Sequence, residues 1–156
     1  MRTILTKALI ALAITTAAAF GADNTLGTWK LDVAKSKYTP TPMPIKSLTI
    51  TREASDGGVK QTTTGERADG TAIQASYTAK YDGKDAQVTG NSQYDTIAIK
   101  QVNASTLTDE RKKKSGPYKA TGRTVVSNGG KTMTTTTKGT NADGKEFTQV
   151  LVFDKQ

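Results

Sequence analysis

The sequence contains neither cysteine nor histidine in its 156 residues. Without histidine, the chain offers no Ser-His-Asp triad and no histidine-ligated metal centre. Without cysteine, it offers no disulfide, no thiolate nucleophile and no iron–sulfur cluster. We therefore expect a non-enzymatic protein with no metal and no cofactor, held together by packing and backbone pairing alone.

Long apolar runs are also scarce, and the run from Ala8 to Phe20 stands near the start of the chain. Basic Arg2 and Lys7 precede it, and small residues close it, a layout typical of a cleaved secretory signal peptide. A membrane anchor is the alternative, but the run is shorter than the about 20 residues that a spanning helix needs. We predict a signal peptide over residues 1–21 and export to the periplasm or the cell exterior.

The rest of the chain, residues 22–156, has the size of one domain. It keeps 20 basic and 14 acidic residues, a net charge of +6. Threonine is the commonest residue, with 28 copies in the full chain, and its branched side chain suits a pleated sheet better than a helix. Turn sequences such as Asp-Gly and Asn-Gly recur at short intervals and supply the positive φ of tight hairpins.

Between these turns, apolar and polar residues alternate, as in strands with one buried face. Ile73, Ala75 and Tyr77 share one face, and Gln149, Leu151 and Phe153 share another. Short links between successive strands favour antiparallel neighbours, and closure into a barrel removes the exposed edges. We predict an all-β, antiparallel up-and-down barrel. Its ten strands lie near 26–33, 45–54, 58–65, 72–82, 85–89, 94–102, 105–114, 117–127, 131–139 and 146–154.

One segment, from Ala34 to Ile45, breaks this pattern. Proline stands at every second position there, at Pro40, Pro42 and Pro44, and cannot donate within a strand ladder. The segment is predicted to be a loop, which could act as a lid across a barrel end or simply connect two strands.

The start of the predicted domain carries a further signature, Leu26-Gly27-Thr28-Trp29-Lys30-Leu31. It resembles the opening of the calycin group, which contains the lipocalins, with their Gly-x-Trp motif, and the fatty-acid-binding proteins. The end of the chain, Leu151 to Lys155, is similar to the last strand of fatty-acid-binding proteins. More closely, the chain resembles small exported bacterial lipocalin-like proteins, which implies a barrel of about 8–10 strands.

The resemblance also implies roles for single residues. Gly27 and Trp29 would close one barrel end, with a basic side chain over the indole ring, for which Arg123 and Lys155 are the candidates. In fatty-acid-binding proteins, an inward arginine two positions before an aromatic residue binds the ligand carboxylate. Leu151 stands at that position here, before Phe153, so we expect no carboxylate capture by that strand.

Our leading hypothesis is non-covalent binding of a small hydrophobic or amphipathic molecule inside a monomeric barrel. The residues expected to line the ligand site are Tyr77, Tyr81, Gln149, Leu151 and Phe153. The aromatic residues among them could equally fill a solid core. A cofactor-free barrel enzyme is a weaker alternative, and it would need an inward acid, lysine or tyrosine with a shifted pKa.

A second alternative rests on four consecutive basic residues, Arg111, Lys112, Lys113 and Lys114. They could form a surface patch that binds an anionic component of the cell envelope, or they could only solubilise a hairpin tip. Nucleic acid is not expected as a partner, because no aromatic stacking platform accompanies the charges. A transmembrane barrel is not expected either, since the face carrying Thr132, Thr134, Thr136 and Lys138 has no apolar band.

Overall fold

The computed structural model describes residues 21–90 and 93–156. The predicted signal peptide lies outside these residues, except for Gly21. Ten strands follow one another along the described chain. They are β1 (Gly27–Thr39), β2 (Ile45–Ser55), β3 (Gly58–Arg67), β4 (Ala72–Lys80), β5 (Asp82–Gly90), β6 (Thr96–Asn103), β7 (Thr106–Lys112), β8 (Lys119–Ser127), β9 (Thr132–Thr140) and β10 (Glu146–Lys155).

The ten strands form one closed barrel, in which every neighbouring pair is antiparallel. Each strand pairs with the next along the chain, and β1 closes the sheet by pairing with β10 on its other side. At the seam, Trp29 lies opposite Lys155 of β10 and Ile50 of β2. The predicted all-β up-and-down barrel is therefore confirmed, and the architecture is consistent with a calycin-like fold.

Side chains alternate between the interior and the outside of the barrel, because the strand repeat is two residues. On β10, Phe147, Leu151 and Phe153 are buried. On β4, Ile73, Tyr77 and Ala79 are buried, and the intervening Gln74 and Thr78 are exposed. The period-two pattern of the sequence thus assigned both faces of these strands correctly.

Strand β1 is longer than the sequence pattern predicts. Its pairing with β10 breaks after Asp32 and resumes at Lys37, which lies opposite Val150. Across this bulge, the Ser36 hydroxyl donates to the Asp32 carbonyl (2.7 Å) and accepts from the Val152 amide (3.0 Å). Side-chain hydrogen bonds therefore replace the missing ladder bonds, and the loop shrinks to residues 40–44. Within that loop, Met43 packs against the apolar cluster around Trp29.

The barrel end where β1 begins, here called the closed end, is covered by residues 21–26. The Asn24 amide donates to the Ala104 carbonyl (2.8 Å), and the fully buried Thr25 receives the indole N–H of Trp29 on its carbonyl (2.9 Å). The opposite end, here called the loop end, carries the connections from β1 to β2, β3 to β4, β5 to β6, β7 to β8 and β9 to β10.

Lys155 is the basic residue that covers Trp29. Its Nζ lies 5.1 Å from the centroid of the ring, in cation–π contact. Gly27 allows this approach, since its φ is +118° and a Cβ there would lie 2.9 Å from Cε of Lys155. Arg123 is exposed and its neighbours Gly122 and Thr124 are buried, so it lies on the outer face of β8. The expected barrel-closing role of Arg123 is therefore corrected in favour of Lys155.

Candidate functional site

The barrel interior holds a cavity of about 160 Å³. Its apolar wall is formed by side chains from several strands, including Ile50, Ile73, Ile97, Met133 and Leu151. Polar groups face the same space, among them Thr63, Thr135 and Thr137, which come from the threonine-rich strands β3 and β9. Exposed Gln93 also lines the cavity near the loop end. The interior is therefore hollow in part, with a mixed lining.

Four of the five residues expected to line a ligand site do line this cavity: Tyr77, Gln149, Leu151 and Phe153. Tyr81 does not belong to the lining. Strand β4 ends at Lys80, and the Tyr81 hydroxyl donates to Asp23 in the segment that covers the closed end. The expectation for Tyr81 is thus corrected: its side chain joins the barrel wall to the N-terminal segment below the cavity.

A row of three buried polar side chains crosses the cavity wall from β2 to β4. Arg52, Gln61 and Tyr77 are direct cross-strand neighbours, and each is less than 10% exposed. Both Nη1 of Arg52 (2.7 Å) and the Tyr77 hydroxyl (2.8 Å) donate to Oε1 of Gln61. Arg52 was not among the site residues predicted from the sequence, although its parity with Leu48 and Ile50 would have placed it on the inner face.

A second arginine, Arg111, also lies inside the barrel. Its Nε (2.6 Å) and Nη2 (3.2 Å) donate to the two carboxylate oxygens of Asp109, and its guanidinium stands 5.4 Å from the ring centroid of Tyr94. Gly122 faces Asp109 across the strand pair, and a Cβ there would lie 2.3 Å from its Oδ2. Because glycine has no side chain, Gly122 leaves room for the Arg111–Asp109 ion pair.

The expected basic surface patch is therefore not continuous, because Arg111 points inward. The next two residues are paired with acids, Lys112 with Glu110 (3.7 Å) and Lys113 with Asp95 (2.8 Å). The hydrogen bond from Lys113 holds the pKa of Asp95 below its ordinary value. Lys114 is exposed, and its Nζ lies 3.4 Å from Oε1 of Gln87. Acids and an amide thus surround the positive charges of this run.

Aromatic rings form a row at the loop end. Tyr38 stacks on Phe147 at a centroid distance of 5.9 Å, and Phe147 meets Tyr118 at 6.0 Å. Tyr118 stacks on Tyr94 at 5.7 Å, and Tyr94 in turn faces Arg111. This row packs the rim of the barrel and holds the Arg111–Asp109 pair against its wall.

The charges on the cavity lining are unbalanced. Arg52, Arg67 and Arg111 line it, whereas Asp109 is the one acidic residue of the lining within the described chain. Asp109 is already engaged by Arg111, whereas the Arg52 charge is stabilised from outside the lining by Asp23 and by the Tyr81 hydroxyl. The cavity lining itself therefore carries more positive than negative groups.

The buried tyrosines hold their protons more tightly than free tyrosine does. Burial raises the pKa of Tyr118 to about 12, and burial together with the hydrogen bond to Asp23 raises the pKa of Tyr81 to about 12. Burial also raises the pKa of Tyr77. A tyrosine in the unfolded chain ionises near pH 10. The contribution of these neutral tyrosines to the stability of the fold is therefore fully present below that pH.

The free energy of unfolding is therefore expected to fall as the pH rises from 10 towards about 12. Urea unfolding across this range measures the loss, and absorbance near 295 nm reports tyrosine ionisation. Tyr118→Phe removes one of the ionising groups and should lose less stability than wild type over the same interval. Identical pH profiles for the two proteins would contradict the assignment.

In comparisons with known proteins, neither a protein-family model nor a curated protein matches this chain. In the described part of the chain, no cluster of acidic residues has the arrangement of a metal site. No helix within residues 21–90 and 93–156 is long and apolar enough to cross a membrane.

Proposed function

We propose that this protein binds one small amphipathic molecule, without transforming it, inside the barrel. The observation that carries the proposal is the cavity itself, where an apolar wall and several polar side chains face the same interior space. This combination is typical of small-molecule sites, in which apolar contacts supply affinity and a few polar groups supply orientation.

The size of the cavity limits the ligand. Drug-sized molecules occupy pockets of roughly 300–1,000 Å³, whereas a cavity of about 150 Å³ holds a benzene-sized guest. At about 160 Å³, the interior suits a single ring or a short alkyl chain. A longer tail would have to extend past Gln93 at the loop end.

Binding is better supported than catalysis. The raised pKa values of Tyr77 and Tyr118 keep their hydroxyls protonated near neutral pH, so that neither supplies a phenolate base. The carboxylate of Asp109 is held bidentately by Arg111. Within the described residues, the cavity wall therefore offers no free acid or base of the kind that a cofactor-free enzyme needs.

Cavity binding is also better supported than attachment to an anionic envelope surface. That alternative needs an exposed, uncompensated cluster of charges, but Arg111 is internal and two of the following lysines are paired. The sequence of residues 1–21 adds export to the proposal, so that the ligand would be met in the periplasm or outside the cell. We also propose that the protein acts as a monomer.

The test uses mature protein isolated from its own cell envelope. Native mass spectrometry followed by denaturation and solvent extraction should reveal a stoichiometric small molecule that is lost on unfolding. Thr135→Phe, which projects a ring into the cavity, is expected to abolish this mass shift or to weaken binding by about tenfold or more.

The matched control is Thr134→Phe, on the same strand but on the outer face of the barrel. It should retain the bound molecule. If both variants retain the ligand, the molecule lies outside the cavity and the proposal is wrong. If wild type takes up nothing from its envelope or from a panel of small amphipathic compounds, the binding function itself is wrong.

A further inference from the structure

We propose that the Thr63 hydroxyl anchors the ligand by donating a hydrogen bond to a carbonyl oxygen, so that the ligand is a small uncharged carbonyl compound. This inference rests on the proposed function, because it names the ligand chemistry of the same cavity. Thr63 lies near the middle of β3, lines the cavity and is only partly buried. A molecule inside the barrel can therefore reach its side chain.

The first argument is that Arg52 fixes the orientation of the Gln61 amide. A guanidinium group can only donate hydrogen bonds. Nη1 of Arg52 lies 2.7 Å from Oε1 of Gln61, so the oxygen of this amide, not its nitrogen, faces the arginine. The Tyr77 hydroxyl donates to the same oxygen at 2.8 Å. Both lone pairs of Oε1 are thereby used, and the amide nitrogen is directed elsewhere.

The second argument is the polarity that this amide imposes on Thr63. Nε2 of Gln61 donates to Oγ1 of Thr63 at 3.1 Å, so the threonine hydroxyl accepts there and must donate its own hydrogen elsewhere. Its cross-strand neighbours are Ile50 on β2 and Ala75 on β4, whose side chains contain no acceptor. Among the described residues, the bond from Gln61 is the one side-chain hydrogen bond of Thr63. Its O–H is thus left for a group inside the cavity.

Other polar side chains of the lining have no such imposed donor role. The hydroxyls of Thr124 and Thr135 pair with each other at 3.1 Å, and either of them can be the donor. The Gln149 amide offers both donors and an acceptor, so it does not distinguish between ligand groups. Oγ1 of Thr137 is fully buried. Of these groups, Thr63 is the one whose neighbours make it a donor.

The buried arginines of the lining are already engaged by the protein. Asp109 holds Arg111 through both carboxylate oxygens. Arg52 donates to Gln61, and its charge is stabilised by Asp23 and by the Tyr81 hydroxyl. Neither arginine therefore requires a charged ligand.

The remaining arginine of the lining, Arg67, lies away from Thr63. It is the last residue of β3, at the loop end, and it is partly exposed. A carboxylate beside Thr63 would lose its hydration without a free cation at the same depth, which is costly. An uncharged carbonyl needs one donor to replace its hydrogen bond to water, and Thr63 supplies it. The site therefore favours the uncharged carbonyl over the carboxylate.

Calorimetric titration tests the anchor with two ring compounds of nearly the same shape, cyclohexanone and methylenecyclohexane, of which only the ketone has an acceptor. Each is titrated into wild type and Thr63→Val, so that the difference in hydration between the compounds cancels. Thr63→Val should weaken ketone binding roughly three- to tenfold, as loss of one neutral hydrogen bond does. Binding of the alkene should stay nearly unchanged. Thr63→Ser keeps the hydroxyl and should retain most of the affinity for the ketone.

Thr64→Val is the matched control, because Thr64 is exposed on the outer face of the same strand, and it should behave as wild type. Infrared spectroscopy gives a second readout. The carbonyl stretch of bound cyclohexanone should lie at lower frequency in wild type than in Thr63→Val, because a hydrogen bond weakens the C=O bond. The charge is tested with benzamide and benzoate, of which wild type should bind the amide at least about tenfold more tightly.

The outcomes separate the two proposals. If Thr63→Val weakens ketone and alkene equally, or leaves the carbonyl frequency unchanged, the anchor is overturned and the proposed binding function stands. A native ligand without a carbonyl group overturns the anchor in the same way. If benzoate binds as tightly as benzamide, the inference of an uncharged ligand is wrong. If no probe binds and the natural envelope yields no ligand, both proposals fail.

Discussion

Asp109→Asn is expected to destabilise the barrel by about 3–5 kcal/mol, the usual cost of removing one partner from a buried ion pair. The side chains of Asp109 and Arg111 are only 7% and 15% exposed. The substitution keeps the size of the side chain but leaves the guanidinium of Arg111 inside the barrel without its counter-charge. Since domains are stable by only about 5–15 kcal/mol, the loss should lower the urea midpoint markedly.

The double variant Asp109→Asn/Arg111→Met provides the control. It buries no unpaired charge and should recover most of the lost stability, which a double-mutant cycle measures as a coupling energy. A single variant within about 1 kcal/mol of wild type would show that the pair contributes little.

Trp29→Ala is expected to cost about 3–5 kcal/mol, as large-to-small substitutions of buried aromatic residues do. Trp29 has no exposed surface, and it packs in a cluster with Leu31, Met133 and Phe153. Its indole N–H also ties the barrel to Thr25 of the N-terminal segment. We therefore expect faster amide hydrogen exchange in residues 22–26, besides the loss of stability in urea.

Two milder variants identify which contacts of Trp29 matter. Lys155→Gln removes the cation from the ring and should cost roughly 0.5–1 kcal/mol. Arg123→Gln changes an outward side chain and should leave the stability within about 0.5 kcal/mol of wild type. The opposite ranking of these two variants would contradict the placement of Lys155 over Trp29.

The fold could be predicted largely from the sequence, because the relevant signals are local. Period-two alternation identifies strands and their inner faces, and short turn sequences favour antiparallel neighbours. For the same reason, the inward positions of Tyr77, Gln149, Leu151 and Phe153 could be read from parity alone. The length of β1 could not, because its continuation depends on side-chain hydrogen bonds across the bulge to β10.

Alternation along each strand specifies which residues face inward, whereas the contacts between those residues follow from the arrangement of the strands in the barrel. Lys155, not Arg123, lies over Trp29, because closure places the two chain ends side by side. Arg111 pairs with Asp109 on its own strand, β7. The pair lies beside the space that Gly122 leaves on the neighbouring strand, β8. Arg52 donates to Gln61 instead, since the register between β2, β3 and β4 places Gln61 beside it and Tyr77 one strand further on. Alternation depends only on backbone geometry, whereas charge pairing depends on the register between strands and on the closure of the sheet.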